Sequence, residues 1–267
     1  MAMLEVNGVR THYQLLPARD AGQGEPPVVV FVHGLGYDSL ASFYLTLCPP
    51  VAAAGMTALA YDLRAHGRTD RPASGYRVGD FVDDLRELLD RLDLRRPVHL
   101  VGNSFGGTVA FSFAARHPER VAGIVSIEAE PATEAWAEKM GRTLGNVLDE
   151  IAKEEYLAWV TRTFGAHHAR LARAAHALIA ATSIVTDVPS GPLLSTADLD
   201  SITCPVLSIL GDQGFQSDDP LAVERLLPDC RTEVIEGQNH SVLVERHRTV
   251  RAMVLEFVAS LSQRAAA

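Results

Sequence analysis

The stretch Gly102-Asn103-Ser104-Phe105-Gly106-Gly107 is the place where this sequence most plainly offers chemistry. A serine with a glycine two residues to either side follows the apolar run Pro97–Val101 and precedes a helical pattern over Phe105–Arg116. That order suits a sharp strand-to-helix turn, in which the glycines permit close chain approach and the serine is held in a strained backbone conformation. Its hydroxyl is then presented above the strand end, at a helix N-terminus that favours developing negative charge. The chemistry expected is nucleophilic attack by Ser104 on an acyl carbon. The plainer alternative is a glycine-rich turn with a capping serine, and the strand-before, helix-after context favours the nucleophile.

The elements that would position such a serine alternate along the chain. Met3–Val6 and Thr11–Leu16 read as strands joined by the Asn7-Gly8 turn, a strong hairpin signal. Val28–Val32, Thr57–Tyr61, Pro97–Val101, Val121–Ile127, Pro205–Leu210 and Arg231–Ile235 are continuous apolar or β-branched runs, as strands buried on both faces appear. Helical periods fall between them at Asp38–Ala54, Val78–Leu92, Phe105–Arg116, Asp219–Leu227 and Val242–Leu261. Alternation of this kind predicts an α/β fold with a mainly parallel sheet covered on both faces. One segment breaks it. Residues 131–201 are Ala-rich and helical in period: Trp136, Met140, Leu144, Val147 and Leu148 make one apolar face, Tyr156, Trp159, Val160 and Phe164 another, and a third helix is expected over His168–Thr182. The expected organisation is therefore a core at 1–130, a helical insertion at 131–201, and the rest of the core at 202–267.

Taken with three further motifs, the serine turn resembles that of the α/β-hydrolase superfamily, and the likeness covers nearly the whole chain. His33-Gly34-Leu35-Gly36 follows the strand Val28–Val32, where that family places its first oxyanion segment. Asp62-Leu63-Arg64-Ala65-His66-Gly67-Arg68-Thr69-Asp70 is similar to its D-x-R-G-x-G-x-S loop, with Ala65 and Thr69 as departures. Gln238-Asn239-His240-Ser241-Val242 follows the last strand, where the family carries its catalytic histidine. The resemblance implies an eight-stranded sheet with a helical lid between strands 6 and 7. It implies His240 as the base that activates Ser104, and the N–H groups of Leu35 and Phe105 as the oxyanion donors. Gly34, Trp136, Met140 and Trp159 are candidates to line the pocket under that lid.

The carboxylate is less plain. The family's commonest pattern puts an aspartate three residues after a glycine at the end of the penultimate strand, but here Gly211-Asp212-Gln213-Gly214 ends in glycine at that position. Haloalkane dehalogenases and many polyketide thioesterases carry their acid after the preceding strand, and here Val121–Ile127 ends in Glu128-Ala129-Glu130. Glu128 is placed first for the role, with Asp212 and Glu130 as alternatives and a surface carboxylate as the bland reading of Glu128.

The remaining residues narrow the class. A net charge of −9 leaves no electrostatic footprint for nucleic acid or an anionic membrane. The N-terminus lacks the long apolar stretch of a signal peptide. Cys48, Cys204 and Cys230 lie far apart and read as structural, reduced thiols, which suits the cytoplasm. No histidine pair has metal-ligand spacing with carboxylate support, so neither metal nor cofactor is expected. His33 is read as oxyanion-loop scaffolding, His66 as fixing its own loop, His167 and His168 as surface or pocket lining, and His247 as solvated. The chain is expected to act as a monomer or homodimer on a small molecule, cleaving an ester, thioester or lactone. Alternatives are a carbon–carbon bond hydrolase, suggested by the G-N-S-x-G-G form of the serine turn, a cofactor-free lyase or dioxygenase, and a non-catalytic ligand receptor.

Overall fold

The computed structural model describes residues 2–19, 24–151, 153–214, 216 and 218–266. Eight strands form one sheet: β1 (Ala2–Val6), β2 (Val9–Leu16), β3 (Val28–Val32), β4 (Thr57–Tyr61), β5 (Val98–Asn103), β6 (Val121–Ile127), β7 (Val206–Gly211) and β8 (Cys230–Ile235). Their spatial order is β1-β2-β4-β3-β5-β6-β7-β8, antiparallel at β1/β2 and β2/β4 and parallel from β4 to β8. Asn7 and Gly8, which join β1 to β2, both have positive φ (48° and 76°), as a tight two-residue hairpin turn requires.

The helices are α1 (Ala41–Tyr44), α2 (Cys48–Ala53), α3 (Val78–Arg91), α4 (Phe105–Arg116), α5 (Glu134–Ile151), α6 (Glu154–Phe164), α7 (Ala166–Ala180), α8 (Ile184–Asp187), α9 (Thr196–Asp200), α10 (Ala222–Leu226), α11 (Val242–Glu245) and α12 (His247–Ala266). The single helix expected over Asp38–Ala54 is two. Prolines in the first turn of α2 cannot continue an upstream helix, since they lack the N–H that would bond back to it, but they start a new one without loss. The helix expected over Val242–Leu261 likewise divides into α11 and α12. The segment after β6 is helical as its periodicity suggested, with α5 to α9 all falling between β6 and β7 in the chain. The side chains of Phe164, His167 and His168 lie outside the described residues.

The central strands are apolar at most positions because each face of the sheet has its own core. On β3, Val30 and Val32 join the cluster containing Phe81, Leu85, Val109 and Phe113 of α3 and α4. Val29 and Phe31, one residue out of phase, join the opposite cluster with Phe43, Val51, Val250 and Val254. This is the period-two alternation of a strand covered on both sides. The first cluster also takes in Trp136, Leu144, Leu178 and Ile184, so the inserted helices pack on the α3/α4 side. From β3 the chain crosses to β4 on one side and then to β5 on the other. In open α/β sheets such a reversal opens a crevice at the strand C-termini, where ligands bind.

Candidate active site

Ser104 lies at the C-terminal end of β5, between the last residue of that strand and the first of α4. Its φ and ψ are 51° and −123°, a conformation L-residues rarely adopt. The strain is held by its surroundings: the Ser104 N–H donates to Ile127 O at 2.8 Å. A Cβ on Gly102 would strike the Gly106 backbone, and one on Gly106 would strike Val32 O and lie 2.6 Å from His33 O. Only glycine at both positions lets β5, α4 and the loop after β3 close this tightly.

Three side chains converge from three strand ends. Ser104 Oγ and His240 Nε2 are 3.0 Å apart, and His240 Nδ1 lies 3.2 Å from Glu128 Oε2. With Nδ1–H donating to the carboxylate, Nε2 is left as acceptor for the serine proton. The Glu128 side chain is 1% exposed and the His240 side chain 34%, so the carboxylate is sealed from solvent while the imidazole is partly open to it. The other carboxylate oxygen, Oε1, accepts the Gly211 N–H at 2.5 Å, a charge-assisted bond that fixes its orientation. Glu128 itself has a φ of 51°, and its N–H donates to Ile209 O at 2.9 Å. Two positive-φ residues at adjacent strand ends thus aim their side chains at one imidazole.

The other carboxylates considered lie elsewhere. Asp212 is exposed, and its Oδ1 accepts the Gln238 N–H at 3.2 Å, so it braces the loop that carries His240. Glu130 Oε2 pairs with Lys139 Nζ of α5 at 2.6 Å. Neither makes the contact with His240 that Glu128 makes.

The oxyanion candidates belong to two rigid pieces. Phe105 N–H is at the first helical position of α4, where no intrahelical acceptor exists. Leu35 lies in the loop after β3, and that loop runs beside the serine: a Cβ on Gly34 would be 3.4 Å from Ser104 Cβ. The Gly34 N–H donates to Asp38 Oδ2 at 2.8 Å. The His33 Nδ1–H donates to Gly34 O at 2.7 Å, and its Nε2 accepts the Leu63 N–H at 3.0 Å. His33 is thus scaffolding, as expected. His66 holds its own loop through Arg64 O at 2.8 Å, but it also accepts the Gly36 N–H at 2.9 Å. That second bond reaches 30 residues back in the chain, beyond anything local spacing could reveal. Asp38 was not singled out from the sequence either, although an acid four residues after Gly34 was a legible cue.

The pocket candidates separate. Trp136 is 4% exposed and stacks on the Phe105 ring with centroids 6.4 Å apart, while Phe81 meets the same ring edge-on at 4.9 Å. Trp136 therefore ties α5 to the serine turn from within the core. Met140 is partly buried against the same cluster. Trp159 is 45% exposed and packs on Tyr156 at 5.7 Å. The three cysteines are free, and burial pushes each thiol up to about 12.

Residues 27–202 match the family model described as alpha/beta hydrolase fold, and the chain belongs to that family. It is 29% identical to a putative 2-succinyl-6-hydroxy-2,4-cyclohexadiene-1-carboxylate synthase of Bacillus subtilis, over 91% of this chain and 94% of that one. It is 30% identical to a 2-(acetamidomethylene)succinate hydrolase of Mesorhizobium japonicum, over 85% of each. Among solved structures, the enol-lactonase of Burkholderia xenovorans superposes with a TM-score of 0.73 at 19% identity, covering 97% of this chain and 100% of that one. Family and relatives together support a hydrolase. Among the described residues, no single helix is long and apolar enough to cross a membrane.

Proposed function

We propose that the chain hydrolyses a carboxylic ester, thioester or lactone of a partly apolar small molecule through an acyl-Ser104 intermediate. The observation that carries this is the unbroken chain Ser104 Oγ to His240 Nε2 at 3.0 Å and His240 Nδ1 to Glu128 Oε2 at 3.2 Å. As Oγ attacks the carbonyl carbon, its proton passes to Nε2, and Glu128 stabilises the imidazolium that forms. The carbonyl oxygen becomes an oxyanion facing the N–H groups of Leu35 and Phe105. Collapse of the tetrahedral intermediate breaks the bond to the leaving group, which takes the proton from His240. Water, deprotonated by the same imidazole, then releases the acid and restores Ser104. In this reading the helices α5–α9, which fall between β6 and β7 in the chain, act as a lid over Ser104, and their apolar faces favour an acyl or ring portion over a sugar or phosphate.

A fluorophosphonate probe should label the native protein at one site, and Ser104→Ala should abolish the label. An unlabelled native protein would remove the reading. Turnover of p-nitrophenyl esters, acyl thioesters and lactones, compared side by side, then selects the bond.

A carbon–carbon hydrolase is the second reading, favoured by the form Gly102-Asn103-Ser104-Phe105-Gly106-Gly107. Such enzymes usually carry a tryptophan just after the catalytic histidine, and this chain has Ser241-Val242 there. Release of a carboxylic acid from a vinylogous diketone with no turnover of simple esters would select it.

A further inference from the structure

We infer that His66 is a positioning residue for the oxyanion hole: as a neutral imidazole it fixes the chain on the far side of Leu35, so that the Leu35 N–H stays aimed at the acyl oxygen. This rests on the reading of Ser104 as an acylated nucleophile.

The argument starts from the softness of the loop. Leu35 has glycine on both sides, and Gly36 has a φ of 92°, so local sterics do little to hold its peptide planes. Hydrogen bonds do it instead. The peptide that carries the Leu35 N–H also carries Gly34 O, and the His33 Nδ1–H holds that oxygen at 2.7 Å. The preceding peptide is held by Gly34 N–H to Asp38 Oδ2 at 2.8 Å. The following peptide, whose N–H belongs to Gly36, is held by His66 Nε2 at 2.9 Å. Every peptide around Leu35 is thus tethered. Among the described residues, the Leu35 N–H itself meets no protein acceptor and is left to a ligand.

The two imidazoles work in opposite senses. His33 donates to the oxyanion loop and accepts from Leu63, whereas His66 accepts from the oxyanion loop and donates to Arg64 O. Their rings are 5.2 Å apart, and both are buried (0% and 2% exposed). Each uses both ring nitrogens in one tautomer, and neither could keep both bonds once protonated. Burial, and then the neighbouring His33, lower the His66 pKa to about 3, so the accepting lone pair persists across the working range. The anchor they reach is itself stiff. Asp62, which begins the loop bearing His66, accepts the Leu40 N–H at 2.8 Å, the Arg68 N–H at 2.9 Å and His12 Nδ1–H at 2.7 Å.

The test compares His66→Leu, which removes the acceptor, with His66→Gln, whose amide oxygen can replace it. Active sites are counted by fluorophosphonate labelling, and kcat is expressed per labelled serine. Loss of one oxyanion donor costs roughly 10²- to 10³-fold, so a misaimed donor in His66→Leu should lower kcat by about 10- to 100-fold, with KM within about twofold. His66→Gln should recover to within about threefold. A purely structural histidine would lower the yield or Tm of His66→Leu but leave turnover per labelled site at the native level, and that result would overturn the proposal. If native protein is labelled and turns over but the two variants behave alike, this inference fails alone; if native protein is not labelled, the hydrolase reading fails with it. Two-bond 1H–15N spectra of the native protein give a check independent of variants. They should show His66 as the Nδ1–H tautomer at neutral pH, and an Nε2–H or cationic ring would refute the assignment.

Discussion

The Glu128 carboxylate occupies the space that a side chain at Gly214 would need. A Cβ built on Gly214 would lie 2.7 Å from Glu128 Oε1 and 2.8 Å from Cδ, and closer still to Oε2. The position at which the superfamily usually supplies its aspartate and the carboxylate that meets His240 here therefore converge on one point. The two arrangements are mutually exclusive: the glycine is what makes room for the glutamate.

That exclusion is testable by exchange. Glu128→Gln should lower kcat on an activated ester by roughly 10²- to 10⁴-fold, by analogy with loss of the orienting carboxylate in a serine triad. Asp212→Asn, which alters only a loop brace, should stay within about threefold of native. Gly214→Asp alone should be impaired, because its Cβ collides with Glu128. Glu128→Ala combined with Gly214→Asp should regain at least about tenfold over Glu128→Ala. A double variant no better than Glu128→Ala, measured by steady-state kinetics, would show that the two positions do not share one space.

Trp136 and Trp159 should answer differently to truncation. Trp136 is buried against Phe105, so Trp136→Ala opens a cavity beneath the serine turn and should cost about 3–5 kcal/mol in urea unfolding. Trp159 is nearly half exposed, and Trp159→Ala should cost less than about 1 kcal/mol. If Trp159 contacts substrate, its loss should appear in KM.

Arg64 and Asp84 form a buried two-pronged ion pair, Nε to Oδ2 at 2.8 Å and Nη2 to Oδ1 at 2.7 Å, that joins the loop after β4 to α3. Asp84→Ala should destabilise by about 3–5 kcal/mol, because it leaves a buried guanidinium without its counter-charge. Arg64→Met with Asp84→Leu should recover much of that loss. Equilibrium denaturation of the single and double variants distinguishes a costly orphaned charge from a pair that stabilises in its own right.

Acid sensitivity follows from histidines buried in the neutral form. Burial lowers the His99 pKa from 6.5 to about 4, and its Nδ1 has no hydrogen-bond partner among the described residues. Native His99 stays neutral where the unfolded chain binds a proton, so its contribution to stability is complete above pH 6.5 and is lost as pH falls towards 4. At pH 5 the loss is about 2 kcal/mol from this residue. His66 adds to it in the same direction. His99→Leu should therefore narrow the difference in unfolding free energy between pH 7 and pH 5 by about 2 kcal/mol. An unchanged difference would show that His99 is not protonated on unfolding in that window.

The sequence by itself determined the elements and their order. A strand covered on both faces must be largely apolar, so the runs that form β3 to β7 were legible without coordinates, and Asn7-Gly8 declared the hairpin. Ser104 was legible for a related reason: the strained turn demands glycines at 102 and 106, and those residues leave a local mark. Helix interruptions were harder to read, since Pro49 and Pro50 open a new helix within a single apolar stretch. Three carboxylates near two strand ends could each be argued for His240, because sequence spacing carries no information about contacts 112 residues apart. The tertiary structure brings Glu128, rather than Asp212 or Glu130, to His240 through the β6/β7 register, the bond from Gly211 N–H to Glu128 and the empty side of Gly214. It decided the reach of His66 in the same way: an imidazole has two nitrogens, its own loop accounts for one, and only packing of that loop against the loop after β3 shows where the other goes.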